Sequence, residues 1–318
     1  MRFNPKAKLD TSQVHDSGRG AGGGMGGGGM QMPIPGGNMA GGGVGAVIIV
    51  ILFLVISQCG GLDLSGGGGP SANGFPADTS RVAPDDTERY ADCTTGADAN
   101  ASEDCKRIAV ENSLYDFWSN TMPTYGVQFA AATMQTFSGS TNTGCGQATS
   151  QVGPFYCPVD QTIYLDTTFF QQVLQDQLGG PDGGFVEPYV IGHEYGHHIQ
   201  NLLGTMSKVK TQQGPRSDAV RLELQADCYA GVWAQAATST QDANGVPLVE
   251  DLTRQDVQEA IAAAQAVGDD RIQQKTQGQV TEESWTHGSA ASRMKWFETG
   301  YSSGGDLRAC DTWAVDTP

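Results

Sequence analysis

Two histidines and a glutamate between Val190 and Gln200 have the types and the spacing of a metal-binding helix. His193 and His197 are four residues apart, so on an α-helix both imidazoles lie on one face and can bind the same ion. Glu194 is turned by about 100° from His193, which places its carboxylate beside a metal-bound water. The alternative is an ordinary amphipathic helix with an exposed His-Glu-His face. A catalytic site also requires a third ligand elsewhere in the chain.

The next predicted helix carries an acidic pair, Glu223 and Asp227, among apolar neighbours. A buried carboxylate is costly unless it binds a metal ion or a charged partner. We expect Glu223 to be the third ligand, which gives two histidines and a glutamate around Zn²⁺ with one position open to water. Asp227 would then accept the free ring N–H of a ligand histidine, most naturally His193. Alternatively, Glu223 pairs with Arg221 or Arg254, and Asp227 faces solvent.

A fourth candidate comes from the distribution of the five histidines. They are His15, His193, His197, His198 and His287. His287 can return to the site and donate a hydrogen bond to the oxyanion that forms when water attacks a carbonyl group. Alternatively, it caps the last helix or packs beside Trp285. His198 points about 100° away from the ligand face and is interpreted as structural or as a support of the ligands. Weaker candidates for the oxyanion role are Tyr195, Tyr229 and Arg293.

These residues require a folded domain, and composition indicates where it begins. Glycine accounts for 44 of the 318 residues, and a large share lies in Gly18 to Gly43 and Gly60 to Gly69, where no core can form. The foldable part therefore starts near residue 80. The net charge of −17 argues against nucleic acid as a partner.

The pattern of the folded part predicts an α+β domain, with a small N-terminal sheet before a helical bundle that carries the metal site. Strand formers dominate residues 127–137, 154–156 and 162–165. Helices are predicted over residues 105–122, 167–178, 188–203, 218–233, 252–267 and 289–298. The segment 154–165 is predicted to offer an edge strand to an extended peptide, or else to be an ordinary disulfide-bounded hairpin.

The N-terminal part is predicted to attach the domain to a membrane. Residues 1–43 are interpreted as a disordered, Gly-rich cytoplasmic leader, 44–62 as a transmembrane anchor, 63–85 as a flexible tether and 86–318 as the catalytic domain. A cleaved signal peptide, a lipoprotein signal and a buried strand fit the apolar run less well. Four basic residues precede the run, so the positive-inside rule predicts a cytoplasmic N-terminus and an extracytoplasmic domain.

Six of the seven cysteines lie in the folded part. Proximity in sequence suggests the pairs Cys93–Cys105, Cys145–Cys157 and Cys228–Cys310, although six cysteines allow fifteen pairings. Disulfides agree with an extracytoplasmic location, whereas six buried free thiols would suit a cytosolic protein.

These features together resemble the neutral zinc metallopeptidase family, whose members are membrane-anchored and carry a glycine-rich N-terminal stretch. The matching segments are the Gly-rich leader with its apolar run, Gly153–Pro158, Ile163–Asp166, His193–His198, Glu223–Cys228 and Thr286–Ser289. The resemblance covers nearly the whole chain. It implies a zincin-like fold in which the Glu223-x-x-x-Asp227 helix completes the metal site, and it implies a reaction class without a substrate.

The resulting hypothesis is a membrane-anchored Zn²⁺ peptidase that acts on peptide or protein substrates. His193, His197 and Glu223 would hold the metal, Glu194 would act as the general base, and His287 or a tyrosine would steady the oxyanion. The alternative is a membrane-tethered binding or scaffold protein with an inert zinc site. A third hypothesis, a quality-control protease facing the cytosol, is disfavoured by the positive-inside rule.

Overall fold

The computed structural model describes residues 1–19, 87–150, 152–181, 183–242 and 244–318. The strands are β1 (Arg2–Phe3), β2 (Val14–Arg19), β3 (Thr133–Ser138), β4 (Ser140–Thr143), β5 (Gly146–Thr149), β6 (Phe155–Cys157), β7 (Thr162–Asp166) and β8 (Val249–Asp251). The α-helices are α1 (Gly96–Ala101), α2 (Glu103–Thr121), α3 (Val186–Leu202), α4 (Asp218–Ala236), α5 (Arg254–Ala266), α6 (Asp269–Gln277) and α7 (Ala290–Tyr301). The predicted α+β class is confirmed.

The main sheet has the strand order β2-β3-β7-β6. β3 runs parallel to both β2 and β7, whereas β6 is antiparallel to β7 and forms one edge of the sheet. β6 contacts α3, so this edge of the sheet lies beside the metal helix. The pairing of β4 with β5 forms a separate hairpin.

The first 19 residues belong to this domain, and their predicted disorder is wrong. β2 pairs with β3, β1 pairs with β8, and the N-terminal amine of Met1 forms a buried ion pair with Asp256. The backbone of these residues thus obtains its hydrogen bonds from strands that lie more than a hundred residues away. Strands of one sheet cannot lie on opposite sides of a bilayer, so the predicted cytoplasmic N-terminus and extracytoplasmic domain are incompatible with this pairing.

The predicted anchor at 44–62 and tether at 63–85 lie outside the described residues. Among the residues that the structure describes, no helix combines the length and the apolar character needed to cross a bilayer.

Close approach between helices brings the metal-site residues together. A Cβ atom at Gly196 of α3 would lie 3.0 Å from the carbonyl oxygen of Ala226 in α4, and one at Gly300 of α7 would lie 1.9 Å from that of Cys228. Only glycine allows backbones this near to each other. α4 is therefore packed tightly between α3 and α7. It begins after Ser217, whose hydroxyl accepts the backbone N–H of Val220.

The three predicted disulfides are all present: Cys93–Cys105, Cys145–Cys157 and Cys228–Cys310. The first two each span 12 residues, and the third spans 82 and ties the C-terminal segment to α4. Cys145–Cys157 lies in a small second core with Phe137, Phe155 and Tyr164. Disulfides that close loops stabilise the fold mainly by restricting the unfolded chain.

Two predicted elements differ from the structure. The strand expected from residue 127 begins only at Thr133, and the helix expected over 167–178 is a short π-helical stretch, Phe170–Gln175. The polar region after residue 268 contains α6, which was not predicted. The other predicted helices end within a few residues of their observed bounds.

Candidate metal centre and catalytic cavity

Three side chains from α3 and α4 bring their possible ligand atoms within 4.8 Å of one another. The Nε2 atom of His193 lies 3.3 Å from Oε2 of Glu223, and Nε2 of His197 lies 3.3 Å from Oε1 of the same carboxylate. All three side chains are buried. Burial would raise the pKa of Glu223, but His197 and His193 hold it well below its usual range, so the carboxylate is charged. The structure thus brings the three predicted ligands together.

This donor set fits Zn²⁺. Two ligands about 2.1 Å from a tetrahedral zinc are roughly 3.4 Å apart, and the observed separations from each imidazole to the carboxylate are 3.3 Å. Within the described ranges, this is the one group of three or more His, Cys, Asp or Glu side chains whose ligand atoms lie within 4.8 Å of one another. Two histidines and one glutamate leave a fourth position open, as in catalytic zinc sites.

A charged network orients His193. Its Nδ1 atom lies 2.8 Å from Oδ1 of Asp227, as predicted, and the hydroxyl of Tyr189 donates to the same oxygen at 2.5 Å. Arg293 of α7 donates to both oxygens of Asp227, through Nε at 2.8 Å and through a terminal nitrogen at 2.9 Å. Burial would raise the pKa of Asp227, but Arg293 and His193 lower it to about 2. Asp227 is therefore anionic and accepts the Nδ1 proton of His193. Burial would lower the pKa of His193, but Asp227 raises it to about 10. A metal ion would therefore displace the proton on Nε2 and leave the one on Nδ1 in place.

A neutral network orients His197. Its Nδ1 atom lies 2.8 Å from Oε1 of Gln200, whose Nε2 atom donates to the carbonyl oxygen of Leu222 at 2.7 Å and to Oε1 of Gln225 at 3.1 Å. Gln225 in turn donates to the carbonyl oxygen of Cys310 at 2.9 Å. Because every amide in this chain of bonds has its N–H groups directed away from His197, the ring must donate from Nδ1. Its Nε2 atom is then free for the metal.

Glu194 lies beside the metal-ligand triad in a cavity of about 120 Å³. Burial is the main cause of a raised pKa for its carboxyl group, partly offset by His193 and His197. A carboxylate with a raised pKa is a better proton acceptor near neutral pH than an exposed one. Glu194 lies next to the ligands without belonging to them, so its carboxylate can accept a proton from a group at the open fourth position.

His287 lines the same cavity and is held by Asp269. One oxygen of Asp269 accepts the consecutive backbone N–H groups of Thr286, His287 and Gly288 at 2.7–2.9 Å. The other oxygen lies 3.3 Å from Nδ1 of His287, and Thr286 Oγ1 lies 2.9 Å from the same nitrogen. Burial would lower the pKa of His287, but Asp269 raises it, so the opposite nitrogen can carry a proton toward the cavity.

Of the three weaker candidates for the oxyanion role, only Arg293 lines the cavity. Tyr195 packs against His198 in the core, and Tyr229 packs edge-on against Trp118. Neither lines the cavity. Arg293 lines it but is engaged by Asp227. Both nitrogens of His198 are bonded, Nδ1 to Tyr156 at 3.0 Å and Nε2 to the carbonyl of Ala130 at 2.7 Å, so this histidine is structural.

The two alternative partners of Glu223, Arg221 and Arg254, are also excluded: within the described residues, the ion pairs of its carboxylate are with His193 and His197. Arg221 donates to the carbonyl groups of Thr312, Val315 and Asp316, and so fastens the C-terminal segment to α4 instead of neutralising Glu223.

Several residues of the site were not predicted from the sequence. Gln200 lies three residues after His197 and therefore on the same helix face, and this spacing by itself indicates a contact between the two side chains. Gln225 lies two residues after Glu223 and gave no such signal. Tyr189, Asp269 and the bond from Arg293 to Asp227 depend on packing between separate helices, which spacing along the chain does not report.

Comparison with known proteins gives one family and several uncharacterized relatives. A family described as "putative neutral zinc metallopeptidase" matches residues 1–313. An uncharacterized protein of Mycobacterium tuberculosis is 53% identical over 225 residues, covering 70% of this chain and 75% of the relative. Uncharacterized protein YpfJ of Escherichia coli is 43% identical over 204 residues, covering 62% of this chain and 67% of the relative. No solved structure matches.

Proposed function

Because the chain belongs to the neutral zinc metallopeptidase family, we propose that it is a zinc-dependent peptidase that hydrolyses peptide bonds with Glu194 as general base. One observation carries the proposal. Glu194 is buried beside three convergent ligand atoms, at the wall of a cavity that also contains His287. A site that served structure alone would need neither the open fourth position nor an adjacent base.

The protein's own residues supply the positioning and the proton transfers. His193, His197 and Glu223 would hold Zn²⁺, which would supply the Lewis acidity that activates a water molecule and polarises the substrate carbonyl group. Glu194 accepts a proton from the attacking water as the C–O bond forms, and delivers it to the amine as the C–N bond breaks. His287 donates a hydrogen bond from its cavity-facing nitrogen to the developing oxyanion.

The placement of the sheet supports a zincin-like domain and a peptide substrate. β6 is an edge strand beside α3, and residues 153–156 line the cavity next to the metal ligands. An extended peptide can pair with such an edge and so lay its backbone across the site. This arrangement favours the edge-strand interpretation of residues 154–165 over a purely structural hairpin.

The three disulfides support an oxidising, extracytoplasmic location for the domain. Attachment to a membrane through residues 44–62 stays a prediction from the sequence. A tethered binding protein with an inert zinc site is the second candidate, and the buried, raised-pKa Glu194 speaks against it.

The decisive test replaces Glu194 by Gln in the full-length protein. We expect bound zinc to remain stoichiometric while peptide hydrolysis falls by about 10²-fold or more, because the proton acceptor is lost. Glu298→Gln, at an exposed position of α7, is the matched control and should retain full activity. Full hydrolysis by the Glu194→Gln variant, with zinc bound, would overturn the proposal.

A further inference from the structure

We infer that the cavity selects an internal segment of a polypeptide with a medium-sized apolar side chain next to the scissile bond. This inference rests on the proposed peptidase function and adds a substrate class to it.

The walls of the cavity are apolar outside the catalytic groups. They are formed mainly by Val152, Pro154, Phe155, Phe169, Met206 and Leu222. Phe169, Met206 and Leu222 are themselves buried, so this surface is built into the core instead of lying on a mobile exterior. Such walls bind a substrate side chain by removing its apolar area from water.

The size of the cavity limits the side chain. Its volume is about 120 Å³, and an engineered apolar cavity of roughly 150 Å³ holds benzene. Part of this volume must take the scissile group and the attacking water, so it sets an upper limit at side chains on the scale of leucine, methionine or phenylalanine and is too small for tryptophan.

The charges at the cavity are already committed. Arg293 is bonded to both oxygens of Asp227, and His287 is held by Asp269. The other carboxyl and imidazole groups that line the cavity are those of His193, Glu194, His197 and Glu223, which are assigned to the metal and the attacking water. Among the described residues that line the cavity, no cation remains for a substrate carboxylate and no carboxylate remains for a substrate ammonium group.

Because these charges are already paired, the cavity does not favour a charged substrate side chain or a free chain terminus. A charged side chain placed in the apolar cavity would be desolvated without a partner, which costs several kcal/mol. A free amino or carboxyl terminus beside the scissile bond would be equally unpartnered. The described lining of the cavity therefore favours peptide bonds inside a chain, which is the action of an endopeptidase.

The first experiment uses full-length zinc-loaded protein and fluorogenic peptides that are acetylated and amidated. The residues flanking the cleaved bond are varied among Leu, Phe, Ala, Trp, Asp and Lys. We expect kcat/KM for Leu or Phe to exceed that for Asp or Lys by at least about 10-fold. Peptides with free ends close to the bond should be cleaved no faster than blocked ones. Equal rates for charged and apolar side chains, or a requirement for a free terminus, would overturn the inference.

A second experiment changes the cavity itself. Val152→Asp should shift preference toward a lysine side chain, and Val152→Phe should shift it toward alanine by filling space. The matched control is Val159→Asp, at an exposed valine outside the cavity, which should leave the preference unchanged. An unaltered profile in both Val152 variants, with zinc content intact, would contradict the assignment of the pocket.

Binding separates this inference from the proposed chemistry. On the Glu194→Gln variant, calorimetry should show tighter binding of a Leu-containing peptide than of its Asp counterpart. Cleavage by the wild type without apolar preference would defeat the inference and leave the peptidase function standing. Failure of zinc-loaded wild type to cleave any peptide would defeat the proposed function, and the inference with it.

Discussion

The two histidines of the metal site are four residues apart on one helix, yet their supports are chemically opposite. His193 is oriented by an anion, Asp227, which is balanced by the buried cation Arg293. His197 is oriented by a neutral amide, Gln200, which leads through Gln225 to a backbone carbonyl. Both arrangements place the ring proton on Nδ1, so the same tautomer is reached by an ion pair on one side and by amide dipoles on the other.

The difference shows how a crowded site limits its buried charge. Glu223 and Glu194 already bring two carboxyl groups to the cavity, and a second anionic support would require a second buried cation. Gln200 supplies an acceptor without adding charge. The cost is dependence on distant backbone, because the amide chain ends at Cys310, whose disulfide holds the C-terminal segment against α4.

The largest expected effect comes from removing the cation of the charged support. Arg293→Met should lower the free energy of unfolding by about 3–5 kcal/mol, because Asp227 is left buried without its partner. Arg308→Met is the matched control, since Arg308 pairs with Asp306 on the surface, where solvent screens the pair, and its loss should leave the stability nearly unchanged. Denaturant unfolding of the metal-free proteins measures both. Similar losses in the two variants would contradict the buried-charge account.

The charged support should also respond to acid, whereas the neutral one should not. The lowered pKa of Asp227 means that its contribution to stability is complete above the ordinary value of 3.8 and is lost as pH falls toward 2. The stability difference between wild type and Asp227→Asn should therefore shrink by on the order of 2 kcal/mol across that window. For Gln200→Leu the difference should stay constant. Unfolding of metal-free protein at several pH values tests this contrast.

Zinc affinity distinguishes the two supports next. Loss of an outer partner of a ligand histidine typically weakens metal binding by about 10–100-fold. We expect zinc affinity to fall by close to about 100-fold in Asp227→Asn, because Arg293 is also left unpaired. In Gln200→Leu we expect a fall of close to about 10-fold. Competition with a chromophoric chelator gives the affinities. Asn201→Ala is the control. Asn201 lies in the same helix as the two histidines and donates a hydrogen bond to Tyr156 of β6, so its loss should leave zinc affinity as in the wild type.

The smallest expected effect concerns the length of the neutral support. If Gln225 acts through Gln200, the effects of Gln225→Leu and Gln200→Leu on the free energy of zinc binding should differ from additivity by about 0.5–1 kcal/mol. Gln225→Leu and Arg293→Met should instead add within about 0.5 kcal/mol, because they belong to separate networks. If the effects of Gln200→Leu and Gln225→Leu on zinc binding are additive, Gln225 does not act on the metal site through Gln200.

The candidate site was largely predictable because its ligands follow helix periodicity. His193 with His197, and Glu223 with Asp227, are each four apart, and this local spacing fixes which side chains share a face. Which helix faces which is not local. Arg293 reaches the site because α7 packs against α4, and Asp269, the first residue of α6, reaches it through His287. No periodicity in the sequence specifies these contacts.

The N-terminal strands were missed for a related reason. The sequence of β2, Val14-His15-Asp16-Ser17-Gly18-Arg19, is polar and precedes a long glycine-rich stretch, so local composition resembles that of a leader. Its order comes from parallel pairing with β3, in which Val14 lies opposite Met134. A parallel partner 120 residues away leaves no local signal.

The contact between Asp16 and Arg89, at 3.4 Å, shows that the described segments before residue 20 and after residue 86 belong to one domain. β2 ends at Arg19, and the next described segment begins with Thr87–Tyr90, beside the same strand. A single proteolytic cut between residues 20 and 86 would leave both parts of the domain held together by the sheet. If residues 44–62 bind a membrane, shedding of the peptidase would therefore require two cuts, one on each side of the apolar run.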